Sequence, residues 1–293
     1  MLANMKLFPL VRVSIVFSVA ILFGLPFAAS AHQPRLVTGT DTTVSEPETS
    51  KAYYGQLTGQ PQSFHISAQQ PFDLYVNILV PDRADQKKDV TATVTKIGDA
   101  TTTLAVLNGT AASPWKRMWE EFGRDWYWQG EEYKQRATPG EYVVQVSSAQ
   151  NDSRYSLAIG EVEKFSARDG WNAALLIPTL KKDFFGTSPA GFILSPFGIA
   201  YVVTLFLAAF LVGLLYRFVL KLLVQKGVRA VSKNIGSSDR WLRAALGLGL
   251  FVGALLTSWS PVLFFFAGFC LFESLFSWCG LYAALGKNTC PVA

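Results

Sequence analysis

Cysteine is absent from the first 269 of 293 residues, so a domain folded there holds together without disulfides. The three that exist, Cys270, Cys279 and Cys290, crowd the carboxyl end. Histidine occurs only twice, as His32 and His65, which leaves few imidazoles for metal or general-base work. No G-x-S-x-G, H-E-x-x-H or P-loop motif is present, and no nucleophile has a histidine in matching sequence context. These absences argue against an enzyme. Charge is scarce as well: 16% of residues are charged against 50% hydrophobic, a balance too apolar for a soluble protein of this length.

The formal charge of +5 would suit a nucleic-acid partner if it were concentrated on a folded surface, but it is not. Residues 1–31 carry Lys6 and Arg12 with no acid, residues 32–195 carry 16 basic against 19 acidic side chains, and residues 196–293 carry 8 against 2. The excess therefore lies beside apolar segments, where it orients a chain in a bilayer. No nucleic-acid role is expected.

Residues 1–31 have a basic start, an apolar run of 15 residues from Val13 to Phe27 and the small-residue ending Ala29-Ser30-Ala31. That pattern predicts a cleaved secretory signal peptide, because the run is shorter than the ~20 residues a spanning helix needs. Phe197 to Tyr216 is long enough to cross, and a transmembrane helix is expected over 196–217. Arg217, Lys221, Lys226, Arg229, Lys233, Arg240 and Arg243 follow it, opposed only by Asp239, and mark 218–240 as a cytoplasmic loop. A second apolar stretch, 241–286, broken at Ser258-Trp259-Ser260-Pro261, predicts a hairpin of two spans, Trp241 to Trp259 and Val262 to Leu285. The expected protein is a bacterial inner-membrane protein with three carboxyl-terminal transmembrane helices. Residues 32–195 face outward, and the 287–293 tail lies in the cytoplasm. Small residues repeat at four-residue spacing as Ala245, Gly249, Gly253 and as Ala200, Thr204, Ala208. Such stripes predict close helix packing, within the three-helix set or across a homodimer.

Asn234-Ile235-Gly236-x-x-Asp239-Arg240 before the hairpin, and Cys279-x-Leu281-Tyr282-x-x-Leu285-Gly286-x-Asn288-Thr289-Cys290 after it, resemble the YgaP-like transmembrane domain family, a two-helix module. The resemblance covers residues 234–290. It departs from the family pattern at Gly280, where a proline follows the first cysteine, and at Glu273, a charge the pattern does not require. It implies an inner-membrane module. A rhodanese domain accompanies some members, but no match to one exists in this chain.

Residues 52–165 show period-2 alternation in short runs, among them Phe64 and Ile66, Leu74 to Val80, and Tyr142 to Val146. Seven or eight strands at this spacing predict an all-β, jelly-roll-like sandwich following a polar linker at 32–51. Pro139-Gly140-x-Tyr142-x-Val144 and Tyr155-x-Leu157 are faintly similar to bacterial pre-peptidase carboxy-terminal domains, but no family is identified for the sandwich. Residues 166–195, with Trp171, Lys181, Lys182, Phe184 and Phe185, predict a connector lying at the membrane interface.

Candidate sites follow from residue chemistry. Between Trp115 and Tyr133 aromatics interleave with acids, and Trp115, Trp119, Asp125, Trp126, Trp128, Glu131 and Glu132 would suit an envelope glycan or a protein partner. Core aromatics beside a solvated acidic loop would give the same pattern. After cleavage His32 would lead the mature chain, where its α-amine and imidazole, with His65, could chelate copper; the outline is similar to periplasmic copper carriers of the copper-resistance C type. Cys279 and Cys290 form a candidate thiol or soft-metal pair at the cytoplasmic face. Glu273, an acid inside a span, is expected to be protonated and hydrogen-bonded to Ser277 or another polar group in the bundle.

Overall fold

The computed structural model describes residues 32–110, 113–223 and 233–290. The expected signal peptide lies outside the described residues, as do Lys226 and Arg229 of the basic loop.

Alternating β-branched and aromatic residues build a two-sheet sandwich. One sheet has the order β1 (Gln33–Leu36), β3 (Lys51–Gln56), β11 (Arg154–Ile159), β5 (Phe72–Pro81), β9 (Asp125–Ala137), β8 (Lys116–Glu120). The other runs β2 (Asp41–Thr43), β4 (Gln62–Ala68), β10 (Gly140–Ser147), β6 (Thr91–Ile97), β7 (Thr102–Leu107). Pairing is antiparallel except where β1 joins β3 and β2 joins β4. Phe64, Ile66, Leu74, Val76, Ile78, Val94, Val144 and Leu157 fill the space between the sheets, all fully buried. Each such side chain contributes roughly 1.5–3 kcal/mol on removal from water. A core of this size needs no cross-link.

The stretch expected as a polar linker is ordered instead. Gln33–Leu36 and Asp41–Thr43 add parallel edge strands to opposite sheets. Pro34, which has no N–H to donate, is accommodated because β1 is an edge strand. Runs of three and four residues are too short to show a period of two, which hid them in the sequence.

The connector is folded back on the sandwich. Helix α1 (Ala167–Thr179) starts at a capping box in which Ser166 and Asp169 bond each other's backbone N–H. Arg35 of β1 pairs with the same Asp169 at 3.1 Å. A π-helical turn, Leu180–Phe185, follows and stops at Gly186, whose φ of +68° is the left-handed conformation a glycine adopts readily. A 3₁₀ turn, Pro189–Leu194, leads into helix α2 (Pro196–Leu223).

Three further helices follow among the described residues: α3 (Ser237–Leu256), α4 (Pro261–Phe276) and α5 (Gly280–Ala284). Among the described residues only Pro196–Leu222 is both long and apolar enough to cross a membrane. Helix α4 is apolar but only 16 residues long, and α3 carries Asp239, Arg240 and Arg243 in its first turns. The last helix does not run unbroken from Val262 to Leu285. Ser277 takes a left-handed φ of 51°, Trp278 is fully buried, and the chain turns before α5.

The helices pack through small residues, though not those the spacing singled out. A Cβ added to Gly268 of α4 would lie 3.2 Å from the Ala209 side chain of α2, and one on Gly247 of α3 would lie 3.0 Å from the Ala267 carbonyl. Gly249 and Gly253 face open space. Ala200, Thr204 and Ala208 are only half-buried, whereas Tyr201, Val202, Leu205 and Ala209 of the same helix are buried.

Candidate functional site

The aromatic-acidic segment forms the β8–β9 hairpin at one edge of the six-stranded sheet, and its turn is wedged against the helical part. Phe122 leaves the turn and packs its ring 4.1 Å from Phe197, in the first turn of α2, and 5.7 Å from Phe165. With Ala173, Ile177, Phe192, Tyr201, Trp259 and Phe264 it belongs to one buried cluster that joins the sandwich, the connector and the helices. Trp259 is held in this cluster at the α3–α4 turn, where its carbonyl accepts from the Tyr201 hydroxyl at 3.1 Å.

Above the turn, Asp125 opens β9 and faces the connector. Lys181 donates to its Oδ2 at 2.8 Å, to the Gly123 carbonyl at 2.9 Å and to the Arg124 carbonyl at 3.0 Å. Thr187 donates to Asp125 Oδ1 at 2.9 Å. Both charged side chains are 3% exposed, so the ammonium has three acceptors and the carboxylate two donors inside the protein. Burial pushes the Asp125 carboxyl up, and Lys181 and Thr187 pull it back toward ionisation. The sequence placed Lys181 at a lipid interface. It turns inward because a buried carboxylate and two backbone carbonyls await it, while Phe184 and Phe185 on the same turn pack edge-on against Tyr54. Tyr54 and Tyr127 share a buried 2.7 Å hydrogen bond, and burial raises both phenols.

Glu120, at the other side of the turn, accepts from the Phe122 and Gly123 N–H groups at 2.7 Å each. Burial raises its carboxyl, and those two N–H groups pull it back down. Glu131 accepts from the Asn108 N–H at 3.1 Å and Glu132 from the Tyr75 hydroxyl at 3.1 Å. These acids hold the architecture in place.

The tryptophans separate into two groups. Trp115 packs on the core and donates its indole N–H to the Thr110 carbonyl. Trp128 also packs on the core, donates to Asp82 at 2.9 Å and lies beneath the Lys88 ammonium. Trp119 and Trp126 are a cross-strand pair, 36% and 41% exposed, with rings 5.1 Å apart. The Arg117 guanidinium lies 4.2 Å over Trp126 and that of Arg124 5.6 Å over Trp119. Met118 and Tyr127 turn toward the connector, so alternation directs Arg117, Trp119 and Trp126 to the opposite side of the hairpin.

The two histidines lie apart. His32 precedes β1 beside the Ser50 hydroxyl, while His65 on β4 of the other sheet bonds Asp41 at 2.9 Å. Among the described residues no group of three or more His, Cys, Asp or Glu side chains gathers into a metal-holding cluster.

At the far end of the helices, the two motifs that flank the hairpin close on each other. Asn234 donates to the Cys279 carbonyl at 2.9 Å and accepts from its N–H at 2.8 Å. Thr289 N–H donates to the Asn234 carbonyl at 3.1 Å, and the Thr289 hydroxyl takes the Gly236 N–H and reaches Asp239. Arg240 donates to the Ser274 carbonyl at 3.0 Å. Gly236 is required because a Cβ there would fall 2.2 Å from the Thr289 carbonyl. Cys279 is buried under this clasp, Cys290 is half-buried on its rim, and both are free thiols. Glu273, expected against Ser277, is instead ion-paired with Arg243, which also lies 5.0 Å from the Tyr282 ring. Arg243, which falls within the expected Trp241 to Trp259 span, lies in α3 and faces α4.

Thr187, Arg117 and Arg124 carry no expectation from the sequence, and Lys181 is expected there only as an interfacial cation. The i,i+2 spacing of Arg117 and Trp119 on a strand is the one signal that could have placed a cation beside the indoles.

With this clasp in view, the carboxyl-terminal segment is a membrane module built on a two-helix hairpin. Residues 231–293 match the family described as inner membrane protein YgaP-like, transmembrane domain, and the chain is accordingly a membrane protein carrying a YgaP-like domain at its carboxyl end. No curated protein matches the chain in sequence. Among solved structures, the Yersinia pseudotuberculosis-derived mitogen is similar at 13% identity and a TM-score of 0.27, over 41% of this chain and 92% of the mitogen. The pre-peptidase C-terminal domain of collagenase from Bacillus anthracis is similar at 9% identity and a TM-score of 0.25, over 44% and 95%.

Proposed function

We propose that this chain is a non-enzymatic inner-membrane protein that mounts its sandwich rigidly at the outer face of the bilayer for an envelope glycan or protein partner. The signal-peptide pattern and the cations after α2 support that sidedness. Helices α3 and α4 complete the anchor as a hairpin returning to the cytoplasm. The observation that carries the reading is the Lys181–Asp125–Thr187 clamp, because a flexible tether would leave none of these groups buried. Glu120, Asp125, Glu131 and Glu132 of the β8–β9 hairpin are committed to structural hydrogen bonds, which supports a binding role over catalysis. Proximity labelling from a tag on the full chain in cells tests it. Neighbours lost on Lys181→Met, with the protein still inserted, are expected; hydrolytic turnover of an envelope polymer by the purified chain would refute the non-enzymatic role.

A homodimer is a second reading, favoured by one observation: Gly249 and Gly253, one turn apart on α3, face no neighbour. Crosslinking in membranes checks it.

A further inference from the structure

We propose that Trp119, Trp126, Arg117 and Arg124 form a second, peripheral membrane contact that grips anionic phospholipid headgroups of the outer leaflet beside α2. The inference rests on the outward placement of the sandwich proposed above.

Height is the first support. The Trp119–Trp126 pair is the second rung of the hairpin, directly behind the Glu120–Asp125 rung that closes the turn. At ~3.4 Å per residue the indoles stand about 7 Å from that turn. Phe122 in the turn touches Phe197, in the first turn of the spanning helix, and lies in the same cluster as Trp259 and Tyr201. Those aromatics mark where the hydrocarbon ends. Headgroups occupy roughly the next 5–7 Å on each side of a bilayer, which is where the two indoles lie.

Chemistry is the second support. Paired, half-exposed indoles are the side chains that settle at a membrane–water boundary. Each has a guanidinium over it, and guanidinium bonds a phosphate in a planar fork. Arg124 enters no ion pair among the described residues, and Arg117 shares Asp82, which also holds Trp128. Lys116 is exposed on the same strand. Glu120 and Asp125 are turned into the protein, so Glu121 is the acid left exposed in the turn. The surface is cationic and aromatic, although the segment reads as acidic in sequence.

The test uses the full chain in nanodiscs containing a lipid with a nitroxide on its headgroup. The emission lost between wild type and Trp119→Phe/Trp126→Phe reports the pair. It is expected to be largely quenched by the headgroup nitroxide and shielded from aqueous iodide, more so when phosphatidylglycerol replaces phosphatidylcholine. Arg117→Gln/Arg124→Gln is expected to remove that dependence on anionic lipid. Emission quenched by iodide and not by the nitroxide overturns the proposal. Trp171, its ring 5.1 Å from Tyr201 and tilted by 53°, is the internal reference through Trp171→Phe. If its emission is also unquenched, the placement of the sandwich against lipid has failed. If it alone is quenched, only the headgroup contact has failed. Should the double variant not fold, photocrosslinking from Trp119→p-benzoylphenylalanine gives the same decision: phospholipid adducts support the contact, and adducts confined to protein or glycan refute it.

Discussion

Lys181 and Asp125, 56 residues apart, meet at 2.8 Å in an environment that leaves each side chain 3% exposed. Removing one partner strands the other charge in a poor solvent, which costs about 3–5 kcal/mol, whereas replacing both with apolar groups of similar volume is often neutral. Lys181→Met is therefore expected to lower the unfolding free energy of the full chain by that amount, and Asp125→Leu added to it to restore most of the loss. Denaturant unfolding in detergent reads both. Equal stability of Lys181→Met and wild type would show that the pair contributes nothing.

Glu120 gives the sandwich an unusual pH dependence. Its carboxyl is raised by burial, so between the ordinary carboxylate pKa and its own the folded state binds more protons than the unfolded one. The stabilisation it contributes is complete below the unfolded value and is lost as pH rises through the folded value. Glu120→Gln is expected to flatten this fall. Melting of both proteins across the acidic range decides it, and parallel curves would exclude Glu120 as the source.

Asn234 shields Cys279. Truncation to alanine leaves the Cys279 N–H without its partner and its carbonyl with the Ala283 N–H alone, at about 1–3 kcal/mol for the buried donor. Alkylation by maleimide in detergent is expected to label half-buried Cys290 in wild type, spare Cys279, and reach Cys279 in Asn234→Ala. A wild-type Cys279 that reacts as fast as Cys290 would contradict the clasp.

The glycines of α3 and α4 separate packing from association. Gly268→Val forces side-chain atoms into the Ala209 and Phe206 contact and is expected to cost roughly 1–3 kcal/mol of helix stability. Gly249→Leu meets open space, so the monomer is expected to tolerate it while any homodimer weakens. Thermal unfolding and membrane crosslinking together distinguish these outcomes, and an unchanged crosslink in Gly249→Leu removes that stripe from the dimer reading.

The sandwich was legible because Leu74, Val76, Ile78 and Val80 alternate over a long strand, as buried Phe64 and Ile66 do on either side of exposed His65. Strands β1 and β2 were not, since three or four residues carry no period. Hydropathy located α2, but it could not find the break at Ser277, where every neighbour is apolar or small and only the left-handed backbone reveals the turn. The aromatic-acidic segment was seen as a unit. Its division into a docked half, Phe122, Asp125 and Tyr127, and an exposed half, Trp119 and Trp126, depends on which strand face the connector covers. That is settled by Lys181 and Phe185, residues far along the chain.

Because Trp259 is roofed by Phe192 and shares its apolar nucleus with Phe122, the hairpin here is not an interchangeable cassette. Transplanted alone onto a foreign ectodomain, it would arrive with a bare indole at its bend and an unclaimed carbonyl where Tyr201 had been. A successful chimera would have to bring its own lid.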